Sequence, residues 1–243
     1  VIEALIEAAE IENHNVLEIG AGTGKITEKL SEKAGKIYAV EKDTILAQHL
    51  KQQEIPRTQI INKDILEYEM PEIDRCIGNI PFQISSEIIE KLGKKQVQSA
   101  LIMQKELVEK AVQEPGDSNY GRFTIMVNYY FLPVKLREIS RENYYPTPEV
   151  ETAIIKLYPN KERHEIDNEE EFFEITKALF THKRKKVRNA FVDSRHILGI
   201  DKEKAKQIRD ELPNSDERVI NLEIKQIKEI LGSYNNLISQ NTL

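Results

Sequence analysis

Apolar runs recur along the first half of the chain with helical segments between them, and this alternation limits the fold more than any other feature. The runs are Val16-Leu17-Glu18-Ile19, Ile37-Tyr38-Ala39-Val40, Gln59-Ile60-Ile61, Cys76-Ile77 and Ala100-Leu101-Ile102-Met103. Strand and helix in alternation imply a parallel sheet with helices on both faces. After Asn119-Tyr120-Gly121 the pattern changes. Residues 122–131 fit either period and are read as helix, whereas Pro133 to Ile139 and Glu151 to Leu157 read as two strands. They are joined through Tyr144-Tyr145-Pro146-Thr147-Pro148, a connection stiffened by two prolines in which the tyrosines are expected to pack at a hinge. From Pro159-Asn160-Lys161 the strand signals stop. The expected division is therefore an α/β domain over residues 1–159 and a small all-α domain over 160–243. In the latter, Phe173, Thr176, Phe180, Val187 and Phe191 fall at helical spacings, as do residues 220–231, and Gln240-Asn241-Thr242 reads as a disordered tail. The chain starts without Met inside a helical pattern (Ile2, Leu5, Ile6, Ala9), which predicts further residues upstream.

Composition narrows the setting. The chain has 243 residues, 40% of them hydrophobic, with no run long enough to cross a bilayer and no secretory pattern at its start, so a cytoplasmic protein is expected. The single Cys76 excludes an internal disulfide, and no Cys or His cluster has zinc-site spacing, so no metal is predicted. A net charge of −6 argues against a uniformly basic nucleic-acid coat but permits a local patch. The densest basic run is Lys183-Arg184-Lys185-Lys186-Val187-Arg188, downstream of Glu169-Glu170-Glu171. This polarity predicts a helix with an acidic start and a basic later part, with Val187 and Phe191 facing the core and Arg184 and Arg188 on another face.

Candidate ligand groups stand at the ends of the predicted strands. Glu18-Ile19-Gly20-Ala21-Gly22-Thr23-Gly24 joins the first strand to a helix near Lys25. Such a turn lets the backbone approach a ligand and suits a dinucleotide or S-adenosylmethionine equally. Glu41 ends the second strand, where a carboxylate accepts ribose hydroxyls of either ligand. Asp64, in Asn62-Lys63-Asp64-Ile65-Leu66, discriminates: it can accept from an adenine amine while Ile65 packs on the ring, although a helix N-cap is the alternative. After the fourth strand, Asn79-Ile80-Pro81-Phe82 offers a side-chain oxygen and a carbonyl to an exocyclic amine and a ring for stacking.

With these residues in place the chain resembles the class I S-adenosylmethionine-dependent methyltransferases and, within them, the KsgA-type ribosomal RNA adenine dimethyltransferases. The resemblance spans nearly all 243 residues. It rests on Asn79-Ile80-Pro81-Phe82-Gln83-Ile84-Ser85-Ser86, Met103-Gln104-Lys105-Glu106, Tyr120-Gly121-Arg122, Tyr145-Pro146-Thr147-Pro148-Glu149-Val150 and His182 through Ala190. It implies a Rossmann-like class I methyltransferase sheet with a small helical domain behind it. It also implies a cofactor pocket of Glu18, Gly20, Gly22, Glu41, Lys42, Asp64, Ile65 and Asn79, a catalytic edge of Asn79, Ile80, Pro81 and Phe82, and RNA contacts from Lys183, Arg184, Lys185, Lys186 and Arg188. Gln104 and Glu106 are expected to be structural supports. The implied substrate is two adjacent adenosines in a hairpin near the 3′ end of small-subunit rRNA, each receiving two methyl groups within a pre-ribosomal small subunit, with the enzyme acting as a monomer away from membranes. Two other readings remain: a large-subunit rRNA adenine methyltransferase of the antibiotic-resistance type, and an assembly factor whose RNA binding matters more than methylation. The sequence departs from the family by having Ile80 and Phe82 where Leu and Tyr are common, and by lacking the Gln-x-Phe-Leu segment before the first helix, which closes the pocket in relatives.

Overall fold

The computed structural model describes residues 1–143, 149–161, 166 and 168–240; the expected hinge tyrosines and prolines at 144–148 and the tail beyond 240 lie outside them. In chain order the first unit contains α1 (Ile2–Ala9), β1 (Asn15–Ile19), α2 (Lys25–Ser31), β2 (Lys36–Glu41), α3 (Thr44–Gln52), β3 (Thr58–Asn62), β4 (Arg75–Asn79), α4 (Ser85–Lys94), β5 (Gln98–Gln104) and α5 (Lys105–Ala111). The chain continues through α6 (Arg122–Tyr130), β6 (Phe131–Ile139), β7 (Thr152–Pro159), α7 (Glu169–Phe180), α8 (Val187–Asp193), α9 (Lys202–Ile208) and α10 (Ile224–Gln240). No helix among the described residues is long and apolar enough to cross a membrane.

All seven strands form one sheet in the order β3-β2-β1-β4-β5-β7-β6. The first five are parallel, while β7 runs antiparallel to both β5 and β6. From β1 the chain walks outward through β2 and β3, and from β4 it walks the other way to β5. Right-handed crossovers therefore place α2 and α3 on one face and α4 on the other. Leu5, Ile6 and Ala9 of α1 join the α2 and α3 side, packing with Val16, Ile37, Ala39, Ile77, Ala100 and Ile102. The end of α1 is pinned by Glu10, in the left-handed region at φ 52°, whose carboxylate accepts from Lys156 Nζ (2.7 Å) on β7 and Gln98 Nε2 (3.0 Å) on β5. On the edge strand β6 the ladder is irregular between Lys135 and Arg137. That irregularity and Pro133 make a poor template for a further strand.

The chain divides into two compact units, Val1–Val112 with Tyr130–Lys161, and Gln113–Tyr129 with Glu162–Leu243. A single cut after residue 159 does not describe this. Residues 113–129 group with the second unit because Tyr120 Oη donates to the Leu222 carbonyl (2.7 Å) and Gly116 N–H to the Ile220 carbonyl (2.8 Å). These contacts join residues about a hundred positions apart, which no local pattern announces.

In the second unit the expected acidic-to-basic helix is two helices. Asn168 caps α7 by accepting from Glu171 N–H, and α7 ends at Phe180; α8 starts only at Val187. Most of the basic run thus lies in the connection. Its backbone bonds across to residues 215–220, through Val187 N–H to Glu217 O (2.9 Å), Arg188 N–H to Ser215 O (3.0 Å), Val219 N–H to Lys185 O (3.0 Å) and Ile220 N–H to Lys183 O (2.8 Å). Val187 and Phe191 are fully buried as their spacing predicts, but Phe172, rather than Phe173, takes the fully buried position on α7. The run expected over 220–231 divides into a 3-10 turn, Val219–Asn221, and α10. Helix α9, capped by Asp201, is short and largely polar, so its apolar signal was too weak to read.

Candidate active site

Because the strand order reverses between β1 and β4, their carboxyl ends flank the crevice where open α/β sheets bind ligands. Ile19 of β1 pairs with Gly78 of β4, so the glycine turn and the Asn79 tetrapeptide leave the sheet side by side. The approach is close at two glycines. A β-carbon on Gly78 would stand 2.5 Å from the Ile19 carbonyl oxygen, and Gly20, at φ 72°, would bring one to 3.5 Å from the carbonyl oxygen of Asn79. Side chains at these positions would push the two ligand-bearing loops apart or fill the space between them.

Glu41 holds the turn from the next strand. Its Oε2 accepts from Gly22 N–H and its Oε1 from Asp43 N–H, both at 2.8 Å. Each oxygen keeps a lone pair, which suits a vicinal diol. Asp43 in turn caps α3 through Ile45 and Leu46 N–H, and Asn62 Nδ2 donates to the carbonyls of Glu41 and Lys42. The end of β2 is therefore fixed from both sides.

Asp64 combines both of its sequence readings. One oxygen accepts from Leu66 N–H (2.9 Å) and its carbonyl accepts from Glu67 and Tyr68 N–H, closing a turn that does not grow into an α-helix. The other oxygen accepts from Lys42 Nζ at 2.7 Å. This ammonium, then the Leu66 amide, holds the Asp64 carboxyl below the usual range. Among the described residues the Ile65 N–H has no acceptor, and its side chain is buried. A carboxylate acceptor next to a free amide donor matches the N6 and N1 edge of adenine.

At the catalytic edge Ile80 is buried, with its N–H donated to the Ile102 carbonyl at 2.9 Å. Asn79 is exposed at the end of β4. No described residue donates to the Asn79 side-chain oxygen or the Ile80 carbonyl, leaving two acceptors on consecutive residues. Phe82 is half-buried and opens a 3-10 turn whose Pro81 and Phe82 carbonyls are bound by Ser85 Oγ (both 3.2 Å). Gln104 ends β5, and Glu106 is paired with Lys110.

Glu18 differs from the other expected pocket residues. It is fully buried on the sheet face that carries α2, and neither carboxylate oxygen nor Thr27 Oγ1 beside it closes a hydrogen bond of good geometry. Burial pushes its carboxyl up to about 8, against the pull of Thr27 and with a further push from Glu41. Its side chain shows no surface to a ligand. Glycine turn, Glu41, Lys42, Asp64, Ile65 and the Asn79 tetrapeptide all come together in the first unit, whereas the basic run belongs to the second. Within the basic run Lys183 Nζ is held by the carbonyls of Ser118 and Tyr120, Lys185 by Asp193, and Lys186 and Arg188 by Asp216. Asp216 and Arg218 were not singled out from sequence, since 30 and 32 positions separate them from Lys186, which the one pairs and the other bridges.

The reversed β7 separates this sheet from the all-parallel dinucleotide fold, whose order is 3-2-1-4-5-6. Together with the Glu41 and Asp64 carboxylates and a close-approach turn around one crevice, it is the fold of the class I S-adenosylmethionine-dependent methyltransferases. The family described as "Ribosomal RNA adenine dimethylase" matches residues 1–235, and the chain belongs to it. A probable ribosomal RNA small subunit methyltransferase A of Thermococcus kodakarensis is 38% identical over 95% of this chain and 84% of its own length. Its counterpart in Methanopyrus kandleri is 36% identical over 96% and 87%. Among solved structures, a dimethyladenosine transferase from Plasmodium falciparum superimposes with a TM-score of 0.85 at 27% identity, covering 97% of this chain and 95% of its own. The 23S rRNA methyltransferase ErmE shares the fold, with a TM-score of 0.68 at 22% identity over 96% of each chain. The protein is an S-adenosylmethionine-dependent rRNA adenine dimethyltransferase of the small-subunit type.

Proposed function

We propose that this enzyme dimethylates the exocyclic N6 of two adjacent adenosines in the 3′-terminal hairpin of small-subunit rRNA, acting as a monomer on a pre-ribosomal particle. The observation that carries the chemistry is a pair of acceptors with no donor among the described residues, Asn79 Oδ1 and the Ile80 carbonyl, on a segment whose Asn79 backbone carbonyl passes against the Gly20 turn. S-adenosylmethionine supplies an activated sulfonium methyl. Gly20 and Gly22 admit its methionine end, Glu41 takes the ribose hydroxyls, and Asp64 with Ile65 takes the adenine edge between the Ile65 side chain and the Lys42 stem.

The amine of adenosine is a poor nucleophile because its lone pair is delocalised into the ring. Asn79 Oδ1 and the Ile80 carbonyl accept its two hydrogens and turn the lone pair outward, so the catalytic contribution is orientation. The alkylated nitrogen is acidic and releases its proton to solvent, so no side chain serves as general base. After the first transfer one N–H remains for the two acceptors, and the edge must allow the amine to rotate. The target base leaves its stack at a cost of a few kcal/mol, and stacking on Phe82 returns about 1–3 kcal/mol. The exposed basic residues of the second unit contact RNA phosphates.

Radiolabelled S-adenosylmethionine with isolated small and large ribosomal subunits tests this reading. Label in small-subunit RNA, recovered as dimethyladenosine on digestion, is expected. Label confined to large-subunit RNA, or RNA binding without label, refutes it.

A further inference from the structure

The acid beside the basic run bears on how RNA is bound. Lys186 Nζ and Arg188 Nη1 reach the same oxygen of Asp216, at 2.8 and 3.1 Å, and Arg218 stands opposite Lys186 at an antiparallel bridge. The Asp216 side chain is 66% exposed, so water and ions reach the cluster freely. Two cations thus share one carboxylate oxygen, and Arg184, two residues before Lys186, is exposed with no ion-pair partner among the described residues.

Asp216 is not what keeps the cations in place. The backbone bonds between 183–188 and 215–220 do that, and an exposed ion pair adds little to stability. What the carboxylate does is occupy the donors of Lys186 and Arg188 with an anionic oxygen, as a phosphate would. Lys186 and Arg188 therefore have to exchange one anion for another when RNA arrives, and the remaining charge of Asp216 repels the incoming strand.

We propose that Asp216 is a built-in competitor for RNA phosphate, which lowers the affinity of this surface for RNA in general and leaves stable binding to ligands that engage further contacts. The proposal rests on the reading of the basic run as an RNA contact. It predicts that Asp216→Asn, which keeps the shape and removes the charge, binds RNA more tightly than the wild type. Removing one unit charge about 5 Å from a phosphate in water corresponds to roughly a fourfold gain in affinity. The salt dependence should steepen as well, because Lys186 and Arg188 are no longer neutralised internally: the slope of log K against log salt should grow by about 0.7–0.9 for each additional phosphate neutralised.

The experiment measures affinity against salt for the full chain with a small-subunit rRNA fragment and with an unrelated RNA of equal length. It compares wild type, Asp216→Asn and Lys186→Gln/Arg188→Gln, each checked for folding by its thermal transition. Tighter binding of both RNAs and a steeper slope for Asp216→Asn support the proposal. If the double variant binds more weakly but Asp216→Asn binds as the wild type or more weakly, the competitor role is overturned and the RNA contact stands. If the double variant keeps the wild-type affinity and slope, the RNA contact fails and the proposal falls with it.

Discussion

Replacing Glu18 by Gln changes how the stability of this protein depends on pH. The carboxyl lies in an apolar layer with Val16, Ala39 and Ile77 along its sheet face, and burial pushes it up to about 8 from an ordinary 4.5. An acid whose pKa is higher in the folded than in the unfolded chain takes up a proton on folding. Its cost is absent below pH 4.5, grows as pH rises, and levels off above the folded value. Each pH unit in that window is worth about 1.4 kcal/mol at most, so this side chain lowers stability by a few kcal/mol, on the order of one per pH unit, as pH rises from 5 to 8. Glutamine does not titrate. It brings a second N–H that needs an acceptor, an offset of about 1–3 kcal/mol that is the same at every pH. Urea unfolding of both proteins at pH 5, 6, 7 and 8 isolates the effect, because every other titrating group cancels in the difference. The wild type should lose stability relative to Glu18→Gln steadily across this range. A difference that stays constant with pH would mean that the carboxyl is solvated or paired in solution, and would refute the argument.

The other predictions concern the catalytic edge and its packing. Asn79→Ala should lower kcat for label transfer by about 10²–10³-fold, the scale for removing one group that acts in the transition state, while equilibrium dialysis finds cofactor affinity little changed; near-normal turnover contradicts the assigned role. Phe82→Ala should cost about 1–3 kcal/mol in engagement of the target base, read as a reduced rate at limiting RNA, and an unchanged rate there counts against stacking. Gly78→Ala sets a β-carbon 2.5 Å from the Ile19 carbonyl, so a loss of about 1–3 kcal/mol in denaturant unfolding is expected from overpacking; a stable variant would show that β1 and β4 can separate freely.

Most of the candidate site was legible because its members sit at the ends of strands that carry their own local mark. Val16 to Ile19, Ile37 to Val40 and Cys76-Ile77 announce strands, and Gly20, Glu41 and Asn79, one or two residues beyond them, are then placed at a carboxyl edge. The basic run was less legible. Its charges and the acids of Glu169 to Glu171 suit one helix locally, but backbone bonds to residues 215–220 hold most of it as a turn between two helices, with a single bridge from Lys186 to Arg218. Glu18 reads as a ligand residue from its neighbours in sequence, yet its strand face puts it in the core.

The amino-acid sequence therefore carried the strands and helices of the first unit, the glycine turn, and the order in which Glu41, Asp64 and Asn79 appear, since each depends on residues a few positions apart. The reversal of β7 between β5 and β6, the approach of Asn79 to Gly20, the attachment of residues 113–129 to the helical unit and the charge partners of the basic run came from pairing between distant segments. Pairing between segments is made by backbone hydrogen bonds, for which every residue has an acceptor and every residue but proline a donor, so nothing in the side-chain pattern of one segment names the partner it will take.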